Sequence, residues 1–217
     1  MPSTHSVEDI LGNRSRIRVL RVLNGVSVPL NAAQIARRTT LSKPAVATAL
    51  DDLIEMGLVG FSPIGRATAY WIIHENIYVQ EIVKPLFEFE LEVPDILESD
   101  LKKVFCTDSV SVILFGSYAR GDQRRDSDID VIVVGADEAA KERLQETYLQ
   151  QSRELTSRYG APISVIAYSL AEAAGLRDRS PAFYGELRKD GLVVSGLAPY
   201  EWKWDDKQAN NQDGVGA

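Results

Sequence analysis

Two short polar motifs, each joined to an apolar strand, constrain this chain more than any other feature. The first is Gly116-Ser117, which directly follows the β-branched and apolar run 110 to 115, and the second is Asp128-Ile129-Asp130, which leads into the apolar run 131 to 134. A Gly-Ser pair after a buried strand makes a tight exit whose backbone N–H groups can bind an anion. Side chains two apart on a strand point to the same face, so both carboxylates lie on one side. Such a pair suits Mg²⁺, and the pattern predicts two strands facing one phosphate site.

This pair of motifs resembles the signature of the DNA polymerase β-like nucleotidyltransferase superfamily, and most closely that of its minimal nucleotidyltransferases. The resemblance implies that Gly116, Ser117 and Arg120 bind a nucleoside triphosphate such as ATP. It also implies that Asp128 and Asp130 hold Mg²⁺ or Mn²⁺, and that these two and Ser117 are the catalytic residues. The alternative is a glycine turn followed by a Ser-Asp cap and an exposed strand, which explains only one half of the pattern.

The third strand of the expected sheet, residues 162 to 168, departs from the pattern of this family. Active members usually carry a third carboxylate there, which completes the metal site and can act as a general base. The position that matches best is Ser164, and a hydroxyl is neither a strong Mg²⁺ ligand nor a base near neutral pH. No neighbour on that strand replaces the acid, and the nearest acid, Glu172, lies beyond the strand's end.

Two functions therefore stay open. One is an enzyme that transfers a nucleotide from a triphosphate to a hydroxyl of a protein or a small molecule, as minimal nucleotidyltransferases that act as antitoxins do to their toxin partners. The other is a transcription regulator whose nucleotidyltransferase-like domain only senses a nucleotide. The missing carboxylate at Ser164 favours the second function, and the intact Gly-Ser and Asp-x-Asp motifs favour the first.

The residues before this domain predict a separate module of three helices and a β-hairpin. Amphipathic spacing predicts a helix over 14 to 23 and a third helix capped by Ser42, and Asn31 begins a capping-box-like arrangement for a short helix between them. Two β-rich runs, 58 to 61 and 68 to 73, then predict a hairpin whose tip is formed by the residues between them.

Three helices followed by a hairpin resemble the winged helix-turn-helix fold of many bacterial transcription regulators. The resemblance implies that the third helix enters the major groove of double-stranded DNA by its first turn, and that the wing approaches the backbone or the minor groove. Such regulators commonly dimerise to match two half-sites, so a homodimer is expected. The alternative is a winged helix used for dimerisation or for binding a protein. The candidates for DNA contacts are Ser42, Lys43, Ala45 and Thr48 for bases and Arg37, Arg38 and Arg66 for phosphates.

The distribution of charge supports DNA binding by the first module only. Residues 1 to 75 carry eight Lys and Arg against six Asp and Glu, whereas residues 76 to 217 carry sixteen against twenty-five. Within the third helix, Asp51, Asp52 and Glu55 make the later turns acidic. Only the first turn of that helix could therefore lie close to DNA without charge repulsion.

The composition of the 217 residues, 45% hydrophobic and 25% charged, is that of a soluble protein of one or two domains. No apolar run has the length of a membrane span, and the N-terminus lacks the basic and apolar regions of a signal peptide, so a cytoplasmic protein with no membrane partner is expected. A single cysteine, Cys106, excludes an internal disulfide, and with two histidines it leaves no plausible zinc cluster. Cys106 is expected to be a small buried side chain.

Together these patterns predict an α+β chain in which a winged helix-turn-helix precedes a small mixed-sheet nucleotidyltransferase domain. The expected DNA-binding domain covers residues 1 to 75, and the nucleotidyltransferase-like domain covers 108 to 196. Between them, residues 76 to 107 form a helical connector in which Val93-Pro94 is expected to separate two helices. Residues 197 to 217 form a tail, disordered from Gln208 onwards.

Overall fold

A computed structural model describes residues 5–122 and 127–203 of the chain. The chain divides into two compact units, Met1–Val93 and Pro94–Ala217, and each has its own hydrophobic core. Both units combine helices with a sheet, which confirms the predicted α+β class. Among the helices of the described residues, none has the length and apolar character required to cross a membrane.

The first unit contains the predicted winged helix-turn-helix. Its described helices before the wing are α1 (Val7–Leu11), α2 (Arg14–Asn24), α3 (Ala32–Thr39) and α4 (Lys43–Glu55). Its strands are β1 (Leu30–Asn31), β2 (Val59–Ile64) and β3 (Ala67–Ile72), which form an antiparallel sheet in the order β1-β3-β2. The short elements α1 and β1 are additions to the prediction, and the three helices α2 to α4 with the β2–β3 hairpin are the predicted core.

Side-chain caps determine where α3 and α4 begin. Asn31 Oδ1 accepts a hydrogen bond from the backbone N–H of Gln34 at 2.9 Å, and Gln34 Oε1 accepts one from the backbone N–H of Asn31 at 2.8 Å. This reciprocal capping box satisfies two backbone donors that the helix itself cannot pair. Ser42 caps α4 by accepting from the backbone N–H of Ala45 at 3.4 Å. The apolar residues of α4 that recur at helical spacing are buried, namely Val46, Ala49, Leu50 and Leu53.

The wing is longer than the sequence predicts. β2 and β3 stay paired as far as Ile64 and Ala67, so the tip is Gly65-Arg66 and the predicted six-residue tip is wrong. Pro63 is tolerated inside β2 because β2 is an edge strand, where a missing N–H breaks no ladder hydrogen bond on the open side. Gly65 has φ +62°, which a two-residue hairpin turn favours.

The predicted break at Val93-Pro94 is also wrong. After a π-helical turn (Val79–Val83), the chain forms one helix, α5 (Lys84–Phe105), with Pro94 inside it. A proline within a helix removes one hydrogen bond, but apolar side chains on both sides of Pro94 are buried, which offsets that loss. These are Phe87 in the core of the first unit and Leu97, Leu101 and Phe105 in that of the second. Because Phe105 takes the buried position at the helix end, Cys106 is exposed, contrary to the expectation.

The second unit is built on a four-stranded mixed sheet with the strand order β6-β5-β4-β7. The strands are β4 (Ser109–Phe115), β5 (Ile129–Gly135), β6 (Ile163–Ser169) and β7 (Leu192–Gly196). β5 and β6 are parallel, and the other two pairs are antiparallel. The helices after α5 are α6 (Gly116–Ala119), α7 (Glu138–Tyr159), α8 (Leu170–Ala174), α9 (Leu176–Arg179) and α10 (Pro181–Asp190).

Helices cover both faces of this sheet, because successive strand residues point to opposite sides and both sets are apolar. Leu144 and Leu155 of α7 pack on one face. Leu176 of α9 and Leu187 of α10 pack on the other, together with Trp202. The first residues of the predicted tail therefore pack on the second unit, whereas the tail from residue 204, with the segment predicted to be disordered, lies outside the described residues.

Candidate active site

Several strands of the four-stranded sheet begin or end along the same edge, which runs across the strands and not along an edge strand. β4 ends and β5 begins at this edge, where Phe115 pairs with Asp130. β6 runs parallel to β5 and begins at the same edge, with Ser164 beside Asp130. β7 is antiparallel to β4 and also begins there, with Leu192 opposite Leu114. Side chains from four strand ends can therefore meet at this edge.

A cavity of about 530 Å³ lies at this edge of the sheet. All five residues predicted for nucleotide binding, metal binding and catalysis line it, although they come from two separate motifs. The lining residues of the two motifs are Gly116, Ser117, Arg120, Asp128 and Asp130, and α10 adds Glu186, Leu187 and Asp190.

Gly116 is required by the shape of the site. Its φ of +73° lies in the left-handed region that residues with a β-carbon rarely adopt. A β-carbon at this position would also overlap Oδ2 of Asp130 and lie 3.2 Å from its Cγ. The first motif thus needs a glycine because the second motif's carboxylate lies directly against its backbone.

The two aspartates of the second motif differ in environment. Asp128 precedes β5 and is exposed, whereas Asp130 lies within β5 and is half-buried. Burial raises the pKa of Asp130, the neighbouring carboxylate of Asp128 raises it further, and Arg120 acts in the opposite direction. Without a cation the pair therefore disfavours two ionised carboxylates, and a bound cation would relieve that repulsion.

The donor chemistry of this pair fits a magnesium or manganese ion that is shared with a substrate. Mg²⁺ prefers oxygen ligands and usually binds through one or two carboxylates plus phosphate oxygens. Among the described residues, no group of three or more His, Cys, Asp or Glu side chains is close enough to hold an ion. Asp128 and Asp130 would therefore need phosphate oxygens or water to complete the coordination.

Ser164 lies where a third carboxylate would face this pair. It is the register partner of Asp130 on the neighbouring parallel strand, so both side chains point to the same face of the sheet. A hydroxyl at this position supplies neither negative charge for a second cation nor a base near neutral pH.

Arg120 and Ser117 complete the polar lining of the cavity. Arg120 follows α6 and is exposed, and its Nε donates to Oδ2 of Asp122 at 3.4 Å. An exposed ion pair of this kind contributes little, so the guanidinium can exchange this partner for a phosphate. Ser117 is half-buried at the start of α6.

Two acids of the cavity, Glu186 and Asp190, are not indicated by either motif. These residues are four apart on α10, so they lie on the same face of that helix, and both line the cavity. The helix reaches the site because it ends directly before β7, and β7 pairs with the end of β4. The sequence does show two acids at helical spacing just before a strand. It does not show that this strand pairs with β4, and without that pairing the two acids cannot be assigned to the site.

The predicted DNA contacts lie on three segments of the first unit. Ser42 caps α4, Lys43 opens it, and both are exposed, as is Thr48, whereas Ala45 is half-buried. The three arginines predicted to bind phosphates are all exposed, Arg37 and Arg38 in the last turn of α3 and Arg66 at the tip of the wing.

The acidic later part of α4 is partly neutralised within the first unit. Oδ2 of Asp52 lies 3.9 Å from Nη1 of Arg16, while Asp51 and Glu55 are exposed. The repulsion that this part of α4 would exert on DNA is therefore smaller than the sequence implies, although two of its three acids remain exposed to solvent.

These folds and this site define a class of protein, in which a winged helix-turn-helix precedes a mixed sheet of the nucleotidyltransferase type. A family model described as "Nucleotidyltransferase domain" matches residues 96–184. A relative from Methanocaldococcus jannaschii, named "Putative protein adenylyltransferase", is 34% identical over 114 residues, which are 52% of this chain and 99% of the relative. The chain therefore belongs to the nucleotidyltransferase family, as its motifs predict.

Solved structures overlap with parts of the chain at low scores. Reduced HlyU from Vibrio cholerae is 21% identical, with a TM-score of 0.33, and the overlap covers 37% of this chain and 80% of that chain. A toxin-antitoxin structure with AMP-PNP is 23% identical, with a TM-score of 0.33, and the overlap covers 54% of this chain and 93% of that chain. The two folds are therefore defined by this chain's own elements and not by these overlaps.

Proposed function

We propose that the protein transfers a nucleotide from a nucleoside triphosphate to a hydroxyl group, and that its winged helix binds double-stranded DNA. The observation that supports transfer is that the Gly116-Ser117 motif, Arg120 and the Asp128 and Asp130 carboxylates line one cavity. Phosphoryl-group chemistry depends mainly on positioning and charge stabilisation, and these residue types supply both.

In this proposal the residues of the chain bind and orient the triphosphate. The hydroxyl of Ser117 donates a hydrogen bond to a phosphate oxygen, and Arg120 supplies positive charge beside it. Asp128 and Asp130 hold Mg²⁺ or Mn²⁺, which when bound neutralises the repulsion between these carboxylates and the phosphates. The acceptor oxygen forms a bond to the α-phosphorus while the bond from that phosphorus to its bridging oxygen breaks, and pyrophosphate leaves with the electron pair.

We further propose that the nucleotide is an adenylate from ATP and that the acceptor is a protein hydroxyl. This step is supported by the relative from Methanocaldococcus jannaschii, whose name describes protein adenylyl transfer and whose length the match covers almost completely.

A second candidate function is a regulator that binds a nucleotide without transferring it. The observation that favours it is Ser164, which stands beside Asp130 where a third carboxylate would face the pair. The two functions share the binding site and differ only in chemistry. They are therefore separated by whether a bond to the α-phosphorus breaks.

The deciding experiment incubates the protein with each α-labelled nucleoside triphosphate and Mg²⁺, alone and with host lysate. Transfer predicts that label from ATP enters a protein and that pyrophosphate appears in equal amount. Asp130→Asn should abolish both, and the exposed residue Glu146 on α7 offers the control Glu146→Gln, which should change neither. Binding of the triphosphate without release of pyrophosphate would refute transfer and support the sensing function.

Binding itself should depend on a divalent metal, because the aspartate pair repels phosphates unless a cation lies between them. Calorimetry with ATP should therefore show binding in Mg²⁺ and little or none in excess chelator. Equal affinity under the two conditions would contradict the proposed role of Asp128 and Asp130.

The DNA-binding part of the proposal is supported by exposure and charge. Arg37, Arg38 and Arg66 are exposed and, among the described residues, none of them has an ion-pair partner. The first turn of α4 presents Ser42 and Lys43 to solvent. We propose that α4 enters the major groove by this turn and that the protein acts as a homodimer on two half-sites, which sedimentation of the full chain with and without a duplex would test.

A further inference from the structure

We infer that Glu186 is the general base of the transfer and that the acceptor reaches it through a second cavity along α10. The inference rests on the proposed function, since it names the group that would take the proton of the acceptor hydroxyl.

The second cavity adjoins the first. It has a volume of about 540 Å³, and the two cavities share Arg120, Glu186 and Asp190 among their lining residues. The other residues that line it, Ala182, Gly185 and Lys189, belong to one face of α10. The two cavities therefore form one groove, with the carboxylate of Glu186 at the junction between the phosphate side and the α10 side.

The need for a base follows from the strand beside the aspartate pair. A hydroxyl is a poor nucleophile until its proton is removed, and a positioned carboxylate is one group that removes it. Ser164 cannot do so, although its register with Asp130 places it on the correct face. Besides Asp128 and Asp130, the acids among the described residues that line the first cavity are Glu186 and Asp190.

Neither of these two acids can contact the phosphates directly, because a carboxylate repels a triphosphate. They differ in how available they are. Asp190 Oδ1 lies 4.0 Å from Nζ of Lys189, and the Asp190 side chain is 27% exposed. Glu186 is exposed and, among the described residues, has neither a hydrogen-bond nor an ion-pair partner, so its lone pairs are available to an incoming hydroxyl.

Gly185 supports an approach of the acceptor along α10. It lies in the interior of α10, where glycine is among the least favourable residues. A β-carbon there would meet nothing within 4 Å, so the packing of the protein does not require glycine. The missing side chain leaves open space along the groove directly beside Glu186, which is where an acceptor segment would pass.

The step balances without any further reactant than the triphosphate and the acceptor alcohol. The acceptor O–H proton passes to the carboxylate of Glu186 as the oxygen forms its bond to the α-phosphorus. The bond to the bridging oxygen breaks, pyrophosphate leaves with the electron pair, and Glu186 afterwards releases its proton to water.

The test uses the full chain with ATP and Mn²⁺ and measures pyrophosphate release, with water or N-acetyltyrosinamide as the acceptor. Glu186→Gln should lower turnover by about 100-fold or more, which is the contribution typical of a general base. The control Glu146→Gln should retain wild-type turnover. Calorimetry with a non-hydrolysable α,β-methylene analogue and Mn²⁺ should give the same affinity for wild type and Glu186→Gln.

A rescue experiment tests the role more directly. If Glu186 performs the task of the missing carboxylate, Ser164→Asp should restore turnover in the Glu186→Gln background. Equal turnover in wild type and Glu186→Gln would overturn the inference and leave the proposed transfer intact. Weaker binding of the analogue by Glu186→Gln would assign the residue to binding and also overturn it. No turnover by the wild type with any triphosphate would overturn both the inference and the proposed function.

Discussion

Replacing Gly116 by alanine should separate two requirements of the candidate site, the backbone conformation and the close approach of Asp130. Gly116 has φ +73°, and a β-carbon there would overlap Oδ2 of Asp130. Gly160, which caps the C-terminus of α7, has φ +65°, and a β-carbon there meets nothing within 4 Å. Gly160→Ala is therefore a matched control that carries the backbone cost without the overlap.

The expected magnitudes follow from these two geometries. A residue with a β-carbon is destabilised by about 1–2 kcal/mol in the left-handed conformation, so both substitutions should lower the free energy of unfolding by that amount. At Gly116 the overlap adds an overpacking cost of about 1 kcal/mol, near the low end of the usual range because the half-buried Asp130 side chain can rotate away. Gly116→Ala should therefore cost about 2–3 kcal/mol and Gly160→Ala about 1–2 kcal/mol.

Urea unfolding in chelator measures this difference as a shift in midpoint at constant slope. Calorimetry with ATP and Mn²⁺ provides the functional readout, since in the proposed site a rotated Asp130 could no longer hold the cation with Asp128. Affinity should fall in Gly116→Ala and stay unchanged in Gly160→Ala. In an Asp130→Ala background, where the carboxylate is absent, Gly116→Ala should cost no more than Gly160→Ala.

Two results would refute this reasoning. If Gly116→Ala and Gly160→Ala cost the same and leave nucleotide affinity equal, the close approach of the two motifs has no energetic consequence. If the additional cost of Gly116→Ala persists in the Asp130→Ala background, the cost arises from something other than the carboxylate.

Four further predictions concern single positions. Burial and the Asp128 charge raise the pKa of Asp130, so the wild type loses stability as the pH rises through that raised value and the carboxylate ionises. In chelator, Asp130→Asn should therefore be more stable than wild type at neutral pH and lose this advantage in acid. Urea unfolding across that pH range would measure the difference. Ser164→Asp should lower the Tm in chelator and regain it with Mg²⁺ or Mn²⁺, whereas Ser164→Ala should change neither Tm nor metal dependence. Gly185→Ala should raise the free energy of unfolding by about 0.5–1 kcal/mol in urea, because the added methyl meets no atom, and it should slow transfer to N-acetyltyrosinamide. Neutralising Arg66 or Arg37 should reduce the salt dependence of duplex binding by about one unit of slope for each DNA phosphate that is no longer neutralised, as fluorescence anisotropy across a salt series would measure.

The parts of the fold that sequence predicts best are those determined within a few residues. The caps at Asn31 and Ser42 need only neighbours three residues away, so both helix starts are predictable. The same holds for α7, which begins after the cap Asp137 and ends at Gly160 in the left-handed conformation. The meeting of the two aspartates is predictable for a similar reason, since a spacing of two residues at the start of a strand directs Asp128 and Asp130 to one side, and both line the cavity although Asp128 lies just before β5.

The errors occur where distant packing overrides a local preference. Pro94 disfavours a continuous helix, yet α5 runs through it because apolar residues on both sides are buried. Pro63 likewise suggests a turn, but an edge strand tolerates proline, so β2 continues through Pro63 and the wing is longer than predicted. In both cases the proline does carry a local free-energy cost, but that cost is smaller than the stabilisation from the surrounding burial or strand pairing.

Glu186 and Asp190 show why a site built from several strands cannot be completed from its motifs alone. The first motif directly follows β4 and the second leads into β5, and these strands are consecutive in sequence, so the meeting of the motifs follows from one hairpin-like pairing. α10 joins them only because β7, far along the chain, pairs with β4 in the antiparallel sense and so begins at the edge where β4 ends. That pairing brings two acids to the cavity that both motifs line, whereas the strand beside Asp130 carries Ser164. An acid can therefore reach this cavity from outside the two motif strands, provided that the element supplying it begins or ends at the same edge of the sheet.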